Sequence, residues 1–445
     1  MCSEQVKTHP GRLPAGSSSP HYTRRLLPSP ARLRRPLAIG LLLVLIAVIA
    51  AFLIRIEAGD AVVTVALGQP LGSTAMVVDS STHRAFVATM TQPIAAPPVS
   101  RIVMLDTRTA SVLKTIEVGT NLLPLALDER LDRLVVASST VVNSGVVRLL
   151  DGRTGAIVRS AALQQPPISL AVNGRAARIY VAVGAWSTCS TTACNLQPTI
   201  VSVLDAHTLR LLHTETLSRS LGDLRVDEYR GRVFVPTSAG LVVLDAGGRV
   251  QRVLQGLAVL AIDQRTGHVM ITTTDGIAML DVDTGRLLWR RQELVSAATV
   301  DGKSGSVLVL PVATNTVEVL SSTTGAVLHT VAVGKLPVAI VVDSRAGRAY
   351  VANHDDHSIS LLDTASWRVQ RTVPVAPYPL SVSLDSAAHR VIVENTSISV
   401  QRQQGMQAWI PAALRQWLPL QPGASLGAIS PEPTSSVSVV DVSRL

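Results

Sequence analysis

The segment IVVDSRAGRAYV (340–351) is one of eight copies of the same short pattern, and this pattern decides the fold of the chain. Each copy has an apolar run, an Asp or Asn, a turn, a basic or polar residue five positions after the Asp or Asn, and an apolar run that ends in Val or Ile. The other copies, in chain order, are MVVDSSTHRAFV (76–87), LALDERLDRLVV (125–136), LAVNGRAARIYV (170–181), LRVDEYRGRVFV (224–235), LAIDQRTGHVMI (260–271), ATVDGKSGSVLV (298–309) and VSLDSAAHRVIV (382–393). We number all eight, including 340–351, as units one to eight along the chain.

The spacing of the copies indicates a repeat architecture. Asp79 and Asp385 are 306 residues apart, so seven intervals give a mean period of about 44 residues, which suits a four-stranded propeller blade. An Asp or Asn side chain can accept a hydrogen bond from the backbone two residues on and so start a turn. Two apolar runs on either side of such a turn predict a β-hairpin.

Each unit continues with another apolar strand that usually ends in Leu-Asp, as at Asp106, Asp151 and Asp363. A turn that often contains Thr-Gly and an outer strand follow. We name the four strands a to d, from the inner to the outer. Strands b and c are nearly continuous apolar runs, as expected for strands covered on both faces. The pattern therefore predicts an all-β protein, a β-propeller of four-stranded antiparallel blades, with eight blades or, as the alternative, seven.

The sequence around unit seven resembles the YVTN family of β-propeller repeats. Residues 323–367 carry, in order, the Val-Gly, Pro, Asp, Gly-Arg-x-Tyr-Val-x-Asn and Leu-Asp-Thr elements of that repeat. The resemblance extends over about residues 61–445 and is weaker in units four to six. It implies a propeller but no single activity, and family members are surface, periplasmic or binding proteins more often than enzymes.

The two ends of the repeat region complement each other. After Asp441 only VSRL follows, so unit eight lacks an outer strand, whereas residues 61–70 form an outer strand with no inner strands before it. We therefore predict that the N-terminal strand completes the last blade. Such closure leaves no free sheet edge in the ring.

The N-terminal residues predict a membrane anchor. Residues 37–54 are 18 uncharged apolar residues, at the short end of the length that spans a bilayer as a helix. The basic Pro-, Ser- and Arg-rich segment 1–36 precedes them and predicts a cytoplasmic N-terminus. A cleaved signal peptide is the alternative, but residues 55–57 lack a small-x-small cleavage site. We expect a single-pass membrane protein with a linker at 55–60 and an extracytoplasmic propeller at 61–445.

The net charge of +9 does not make nucleic acid an expected partner. Residues 1–36 hold seven Lys or Arg residues and one Glu. Thus +6 of the charge lies in this tail, and residues 37–445 carry only +3. A nucleic-acid-binding footprint should instead cluster on the folded domain.

The long departures from the repeat fall on one face of the predicted propeller. In an antiparallel meander, the b–c and d–a loops lie at one face and the a–b and c–d turns at the other. The segments 88–100, 183–199 and 394–436 are all b–c loops, and we call their face the insertion face and the opposite one the short-turn face. Loops on a rigid scaffold often carry binding groups, although neutral loop growth is the alternative. Because strand 61–67 starts at the short-turn face, we expect that face to look toward the membrane.

Three Trp residues on the insertion face are candidates for partner binding. Trp186 lies in the second insertion, and Trp409 and Trp417 lie in the third. Residues 405–423 of the third insertion predict a short helix that either packs over the channel mouth or binds a partner.

The b–c loop of unit seven holds the tightest cluster of potential metal ligands, which is His354, Asp355, Asp356 and His357. Adjacent residues point apart, so we expect no metal site, and a solvated polar loop is the alternative to a binding role. Cys189 and Cys194 are candidates for a disulfide in an oxidising compartment, since two thiols alone make half a zinc site.

Catalytic signatures are missing from the sequence, which has no G-x-S-x-G elbow, no H-E-x-x-H motif and no Walker-type phosphate loop. Residues 278–289 resemble a tryptophan-docking repeat of quinoprotein propellers, but Trp289 is its single instance. We expect a monomeric binding scaffold without a cofactor, whose partner on the insertion face is a protein or a glycan. The alternative is a propeller enzyme, a lyase, lactonase or quinone-cofactor oxidoreductase, with its site at the channel mouth.

Overall fold

All regular secondary structure in the described part of the chain is β-strand. The computed structural model describes residues 61–67, 73–91, 99–139, 144–184, 189–190, 193–194, 198–396 and 435–445. The predicted tail (1–36), apolar segment (37–54) and linker (55–60) lie outside the described residues. Within those residues, none of the secondary structure is a helix of the length and apolarity needed to cross a membrane.

The strands follow the eight sequence units. Strand β1 is Val62–Ala66, and it precedes unit one. Unit one contains β2 (Ser73–Asp79), β3 (Arg84–Thr91), β4 (Val99–Asp106) and the first half of β5 (Ser111–Asp128). Unit two contains the second half of β5, β6 (Arg133–Ser139), β7 (Gly145–Asp151) and β8 (Ile157–Leu163). Unit three contains β9 (Pro167–Asn173), β10 (Arg178–Val183), the short β11 (Cys189–Ser190) and β12 (Ala193–Cys194), β13 (Thr199–Asp205) and β14 (Leu211–Leu217).

The remaining units have the same order. Unit four contains β15 (Arg225–Asp227), β16 (Arg232–Thr237), β17 (Gly240–Leu244) and β18 (Val250–Leu254). Unit five contains β19 (Ala258–Ile262), β20 (Val269–Thr273), β21 (Gly276–Leu280) and β22 (Leu287–Arg291). Unit six contains β23 (Val295–Val300), β24 (Val307–Pro311), β25 (Thr316–Leu320) and β26 (Val327–Ala332). Unit seven contains β27 (Pro337–Asp343), β28 (Arg348–Asn353), β29 (Ser358–Asp363) and β30 (Arg368–Pro374), and unit eight contains β31 (Pro379–Asp385), β32 (Arg390–Asn395) and β33 (Ser436–Asp441).

The strands pair antiparallel into six four-stranded sheets, one seven-stranded sheet formed by β2 to β8, and the small β11–β12 pair. The first strand of a sheet packs against the first strand of the next, as β23 does on β27, β27 on β31 and β31 on β2. These first strands are therefore the inner ones, as predicted for strand a. Seven large sheets arranged in this way are consistent with a β-propeller of about seven blades.

The predicted closure of the ring by the N-terminal strand is confirmed. Strand β1 pairs antiparallel with β33, from Val62 opposite Val440 to Ala66 opposite Ser436. The backbone N–H of Asp441 donates to the carbonyl of Ala61 over 2.8 Å. The last sheet therefore takes three strands from unit eight and its outer strand from the other end of the propeller sequence.

The core lies between neighbouring sheets, because strands b and c are buried on both faces. In β28 every residue after Arg348 is buried, and Tyr350 is 1% exposed. Tyr350 packs in one apolar cluster with Val391 and Val440 of the next sheet. The continuous apolar runs of these strands are thus explained by burial against two neighbours.

The repeated Asp or Asn fixes the turn after each inner strand. Asp343, for example, is 7% exposed, and its Oδ1 accepts from the backbone N–H groups of Arg345 and Ala346 over 3.1 and 3.0 Å. Such a turn satisfies two backbone donors that burial would otherwise leave unpaired.

The repeated Arg lies directly opposite the Asp that ends strand c, a pairing that the sequence analysis did not identify. Arg133 is the cross-strand partner of Asp151, and Arg390 is the partner of Asp441, with an Nη1–Oδ1 distance of 2.6 Å. Partial burial opposes ionisation of Asp151, but hydrogen bonds from Thr154, Arg133 and Arg153 lower its pKa to about 2. The repeated Arg and the Asp that ends strand c therefore align the two strands and place opposite charges beside each other at the short-turn face.

All three predicted insertions were too wide, and the end residues of the second one, Val183 and Thr199, belong to β10 and β13. Thr91 ends β3 and Val99 begins β4, so the first loop spans 92–98 rather than 88–100. Glu394 and Asn395 belong to β32 and Ser436 to β33, so the loop predicted at 394–436 begins at 396 and ends at 435. The polar Asn395 can lie in a buried strand because its Nδ2 donates to Ser438 Oγ over 3.1 Å within the sheet.

Candidate functional site

The b–c loop of unit seven connects β28 to β29 through four residues at the insertion face. Asn353 and Ser358 pair directly across the two strands, so residues 354–357 form a tight turn. The loop contacts both neighbouring d–a connections, residues 333–336 before unit seven and 375–378 after it. We call His354, Asp355, Asp356, His357, Lys335 and Tyr378 the unit-seven cluster.

His354 is the buried member of the unit-seven cluster. Its side chain is 0% exposed, and its Nδ1 lies 2.7 Å from Asp355 Oδ1. Its backbone N–H donates to the carbonyl of Leu336 over 2.9 Å. Among the described residues, no atom forms a hydrogen bond with its Nε2. A buried polar atom without a partner is unusual in a folded protein and points to a functional or ligand-dependent role.

His357 and Tyr378 are held together in unusual backbone conformations. Their φ angles are 50° and 55°, in the left-handed region that bulky residues seldom adopt. The N–H of Tyr378 donates to His357 Nδ1 over 3.1 Å, and the two rings meet edge to face with centroids 4.6 Å apart. The ring of His354 lies 5.2 Å from that of Tyr378 on another side. Nine other described non-glycine residues also have a positive φ, among them His83 and His389 in a–b turns, so this conformation belongs to the turns of the repeat.

The two carboxylates of the unit-seven cluster point to solvent. Asp355 and Asp356 are both exposed, while Tyr378 is partly exposed. The N–H of Lys335 donates to Asp356 Oδ2 over 2.7 Å, and Lys335 Nζ lies 4.0 Å from Asp356 Oδ1. The arrangement therefore presents carboxylate oxygens and an aromatic ring beside each other on a fixed backbone.

A buried polar layer lies beside this cluster. Asn353 Nδ2 donates to Ser358 Oγ and Ser360 Oγ over 3.1 and 2.9 Å. The Oδ1 atoms of Asn353 and of Asn395, its counterpart in unit eight, accept no hydrogen bond from any described residue. Asn353 and Asn395 occupy the Asn position of the Tyr-Val-x-Asn element, which is the sequence signal that could have identified them.

The unit-seven cluster carries groups that can take part in recognition. Exposed carboxylates next to an aromatic face can bind hydroxyl groups, amides or cations by hydrogen bonds and ring contacts. The described residues contain no group of three or more His, Cys, Asp or Glu side chains that could hold a metal ion.

The protonation of His354 should make the propeller less stable in mild acid. Burial lowers the pKa of His354 below its ordinary value of 6.5, and the hydrogen bond to Asp355 offsets only part of this effect. Because the unfolded chain then binds the proton more readily, stability is complete above about pH 6.5 and falls as the pH drops toward the folded-state pKa. We expect the melting temperature to fall between about pH 7.5 and about pH 5.5, and to fall less in His354→Phe.

The matched control for this test is His329→Gln, because the His329 ring is exposed and stacks on Trp367. A pH dependence that is unchanged in His354→Phe but reduced in His329→Gln would contradict the prediction.

The remaining candidate residues are not members of the unit-seven cluster. Trp186, Trp409 and Trp417 lie outside the described residues. Cys189 and Cys194 are directly opposite each other in the β11–β12 pair. Opposite positions in antiparallel strands have Cα atoms about 4.5–5.5 Å apart, within the range of a disulfide, and the disulfide stays a prediction.

Trp289, the single tryptophan of the quinoprotein-like segment, is buried, and its Nε1 donates to the carbonyl of Ser322 in unit six over 2.8 Å.

Comparison with known proteins supports the fold. No protein-family model matches the chain, and no curated protein matches it. Solved structures that resemble it are β-propellers. The dihydro-heme d1 dehydrogenase NirN, in complex with DHE, is 12% identical with a TM-score of 0.50, and the match covers 75% of this chain and 73% of that chain. BamB from Moraxella catarrhalis is 12% identical with a TM-score of 0.48 over 84% of this chain and 98% of that chain.

The β-propeller domain of Cps50 (Swd1) from Myceliophteria thermophila is 10% identical with a TM-score of 0.45, over 86% of this chain and 99% of that chain. The match to NirN is consistent with the β-propeller fold and carries nothing about activity, and the matches to BamB and Swd1, with TM-scores below 0.5, carry no argument. The YVTN resemblance of residues 323–367 stays a prediction.

Proposed function

We propose that the chain is a membrane-anchored, extracytoplasmic propeller of the YVTN type that binds a protein or glycan at its insertion face. The anchor is the apolar segment 37–54. We further propose eight blades, because β5 belongs to two of them. Its residues up to Gly119 pair with β4, and its residues from Thr120 pair with β6, so the seven-stranded sheet divides into two four-stranded blades. Within this proposal the protein acts as a monomer.

The observation that carries the proposal is the unit-seven cluster. Two exposed carboxylates and a partly exposed tyrosine surround a buried histidine whose Nε2 has no hydrogen-bond partner among the described residues. A hydrogen bond and a ring contact hold His357 against Tyr378. A rigid polar and aromatic surface next to long loops is typical of a recognition site.

The enzymatic alternative is not favoured by a specific observation. A lyase or lactonase would need His and acidic side chains that converge from the inner strands. Before the terminal Asp or Asn, the described inner strands carry one charged side chain, Arg225. A quinone enzyme would need docking tryptophans around the ring, whereas Trp289 bonds only locally to unit six.

The proposal is tested with the full chain in detergent, first against a glycan array and then by affinity capture from envelope extracts. Asp355→Ala/Asp356→Ala/Tyr378→Ala should weaken binding of any specific ligand at least about tenfold, since a few anchor residues usually dominate an interface. Replacing residues 397–434 with a short Gly-Ser linker spares β32 and β33 and tests the largest insertion separately.

The matched control is Lys303→Ala/Arg345→Ala, which alters exposed a–b turns on the short-turn face. Binding that survives both insertion-face variants but is lost in this control would place the ligand on the opposite face and overturn the proposal.

A further inference from the structure

The outer strand carries a β-bulge at the same place in seven units. In unit three, Val203 is opposite His213 and Leu204 is opposite Leu211, so Leu212 is an extra residue without a partner. The extra residues of units one to seven are Leu113, Val158, Leu212, Gln251, Leu288, Leu328 and Gln370. A bulge that recurs in this way redirects side chains and is treated as a designed feature rather than a defect.

The bulge exposes apolar side chains. Five of the seven extra residues are Leu or Val, and they are between 36% and 50% exposed. The apolar residue just before the extra one is also exposed in five units, with Leu211 at 55% and Ile157 at 48%. Two consecutive apolar residues both face outward because the bulge interrupts the alternation of a regular strand.

These bulges form a belt at one edge of the outer rim. Each lies at the start of strand d, immediately after the c–d turn, and so at the short-turn face. The turn before the bulge also contributes an exposed arginine in most units, as Arg210 and Arg286 do in units three and five, whereas Arg153 pairs with Asp132 and Arg108 lies 3.9 Å from Asp106. The belt therefore combines exposed Leu and Val side chains with neighbouring guanidinium groups.

The polypeptide enters the propeller at this same edge. Strand β1 is an outer strand, and Ala61 lies beside Asp441, the residue that ends strand c at the short-turn face. Only residues 55–60 separate Ala61 from the apolar segment 37–54. Six residues span at most about 20 Å when fully extended, so an anchored segment would hold this edge near the bilayer.

We infer that the bulge belt of the propeller rim docks onto the surface of an anionic bilayer. This inference rests on the proposed membrane anchor, and it adds a second lipid contact made by the folded domain. The Leu and Val side chains enter the boundary between headgroups and acyl chains, and the arginines bind lipid phosphates. Such contacts keep the insertion face directed away from the membrane.

The test uses photo-crosslinking in the full chain, expressed in membranes that contain anionic phospholipid. p-Benzoylphenylalanine replaces Leu212 or Leu328, both at bulges. The matched controls carry it at Thr216 or Ala332, which are exposed residues toward the insertion end of the same two strands. We expect about tenfold more lipid adduct, detected by mass spectrometry, at the bulge positions, because interfacial contact is confined to a depth of about 5–10 Å.

Equal or absent lipid adducts at bulge and control positions would overturn the inference, and so would adducts at the bulges with a protein or with a second copy of this chain. Carbonate extraction of the same membranes separates the two proposals. A chain that is retained after extraction but gives no lipid adducts leaves the anchor intact and refutes only the docking belt. A chain that carbonate releases refutes the anchor, and with it the belt.

Discussion

A chain that begins at Gly68 lacks β1. Its free energy of unfolding should be about 5 kcal/mol lower than that of a chain that begins at Ala61. Val62 packs against the cluster around Tyr350, and Val65 and Leu67 pack against the cluster that joins unit eight to unit one. Burying a Val or Leu side chain fully contributes about 1.5–3 kcal/mol, and each lost backbone hydrogen bond adds about 1 kcal/mol. Removal of β1 also exposes β33 as a free edge.

The measurement is urea or thermal unfolding of the two truncated chains, neither of which contains residues 1–60. The longer one keeps all five β1–β33 pairs. The shorter chain should also form higher oligomers, since an uncovered edge strand pairs with other chains. Equal stability of the two chains would show that β1 is not the strand that closes the ring.

Asp385→Ala should cost about 3 kcal/mol of stability, more than Asp343→Ala in unit seven. Asp385 is fully buried, and its Oδ1 caps its own turn by accepting from the N–H of Ala388. Its Oδ2 also accepts from Thr107 Oγ1 over 2.5 Å and lies 3.0 Å from His83 Nδ1, both in unit one. Removing the carboxylate leaves the buried Thr107 and the partly exposed His83 without this partner, which is costly for a polar network around a buried group.

The matched control for this prediction is Asp343→Ala. Asp343 occupies the same repeat position in unit seven, and within the described residues its carboxylate accepts two hydrogen bonds, both from its own turn. Loss of such a turn cap costs about 1 kcal/mol. Chemical denaturation measures the free energy of unfolding of both variants, and the difference between them reports the bonds that link the last unit to the first. A smaller loss of unfolding free energy in Asp385→Ala than in Asp343→Ala would contradict this prediction.

Much of the fold could be predicted from the sequence because it depends on local, repeated chemistry. The Asp turns, the apolar b and c strands and the use of residues 61–67 as the missing outer strand all follow from spacing alone. The bulges could not be predicted in this way. Leu212 and Leu328 sit within apolar runs, and nothing in a run of apolar letters shows which residue lacks a cross-strand partner. The end of β32 at Asn395 could not be predicted either, because the sequence does not distinguish a buried asparagine in a strand from an asparagine in a loop.

The candidate site could be predicted only in part. The residue types at 354–357 identified the loop as a candidate site. The residues that contact this loop lie in the two neighbouring d–a connections. Lys335 and Tyr378 each lie 21 residues from the loop residue that they contact, Asp356 and His357 respectively. Their proximity depends on how three consecutive sheets meet, which no spacing within a single unit reveals. The burial of His354 likewise depends on tertiary packing, whereas its sequence context suggests a solvated turn.

The pairing of β1 with β33 also sets the order in which the chain can fold. Thr64 and Ser438, which face each other in this pair, are 374 positions apart. At about 5–20 residues per second, synthesis separates them by about 20–75 s. Throughout that interval the first strand made has no sheet to join, although the inner sheets have short-range partners and can form as they emerge. The sheet that contains both ends of the propeller is therefore the last to assemble, and a nascent chain remains an open arc until then.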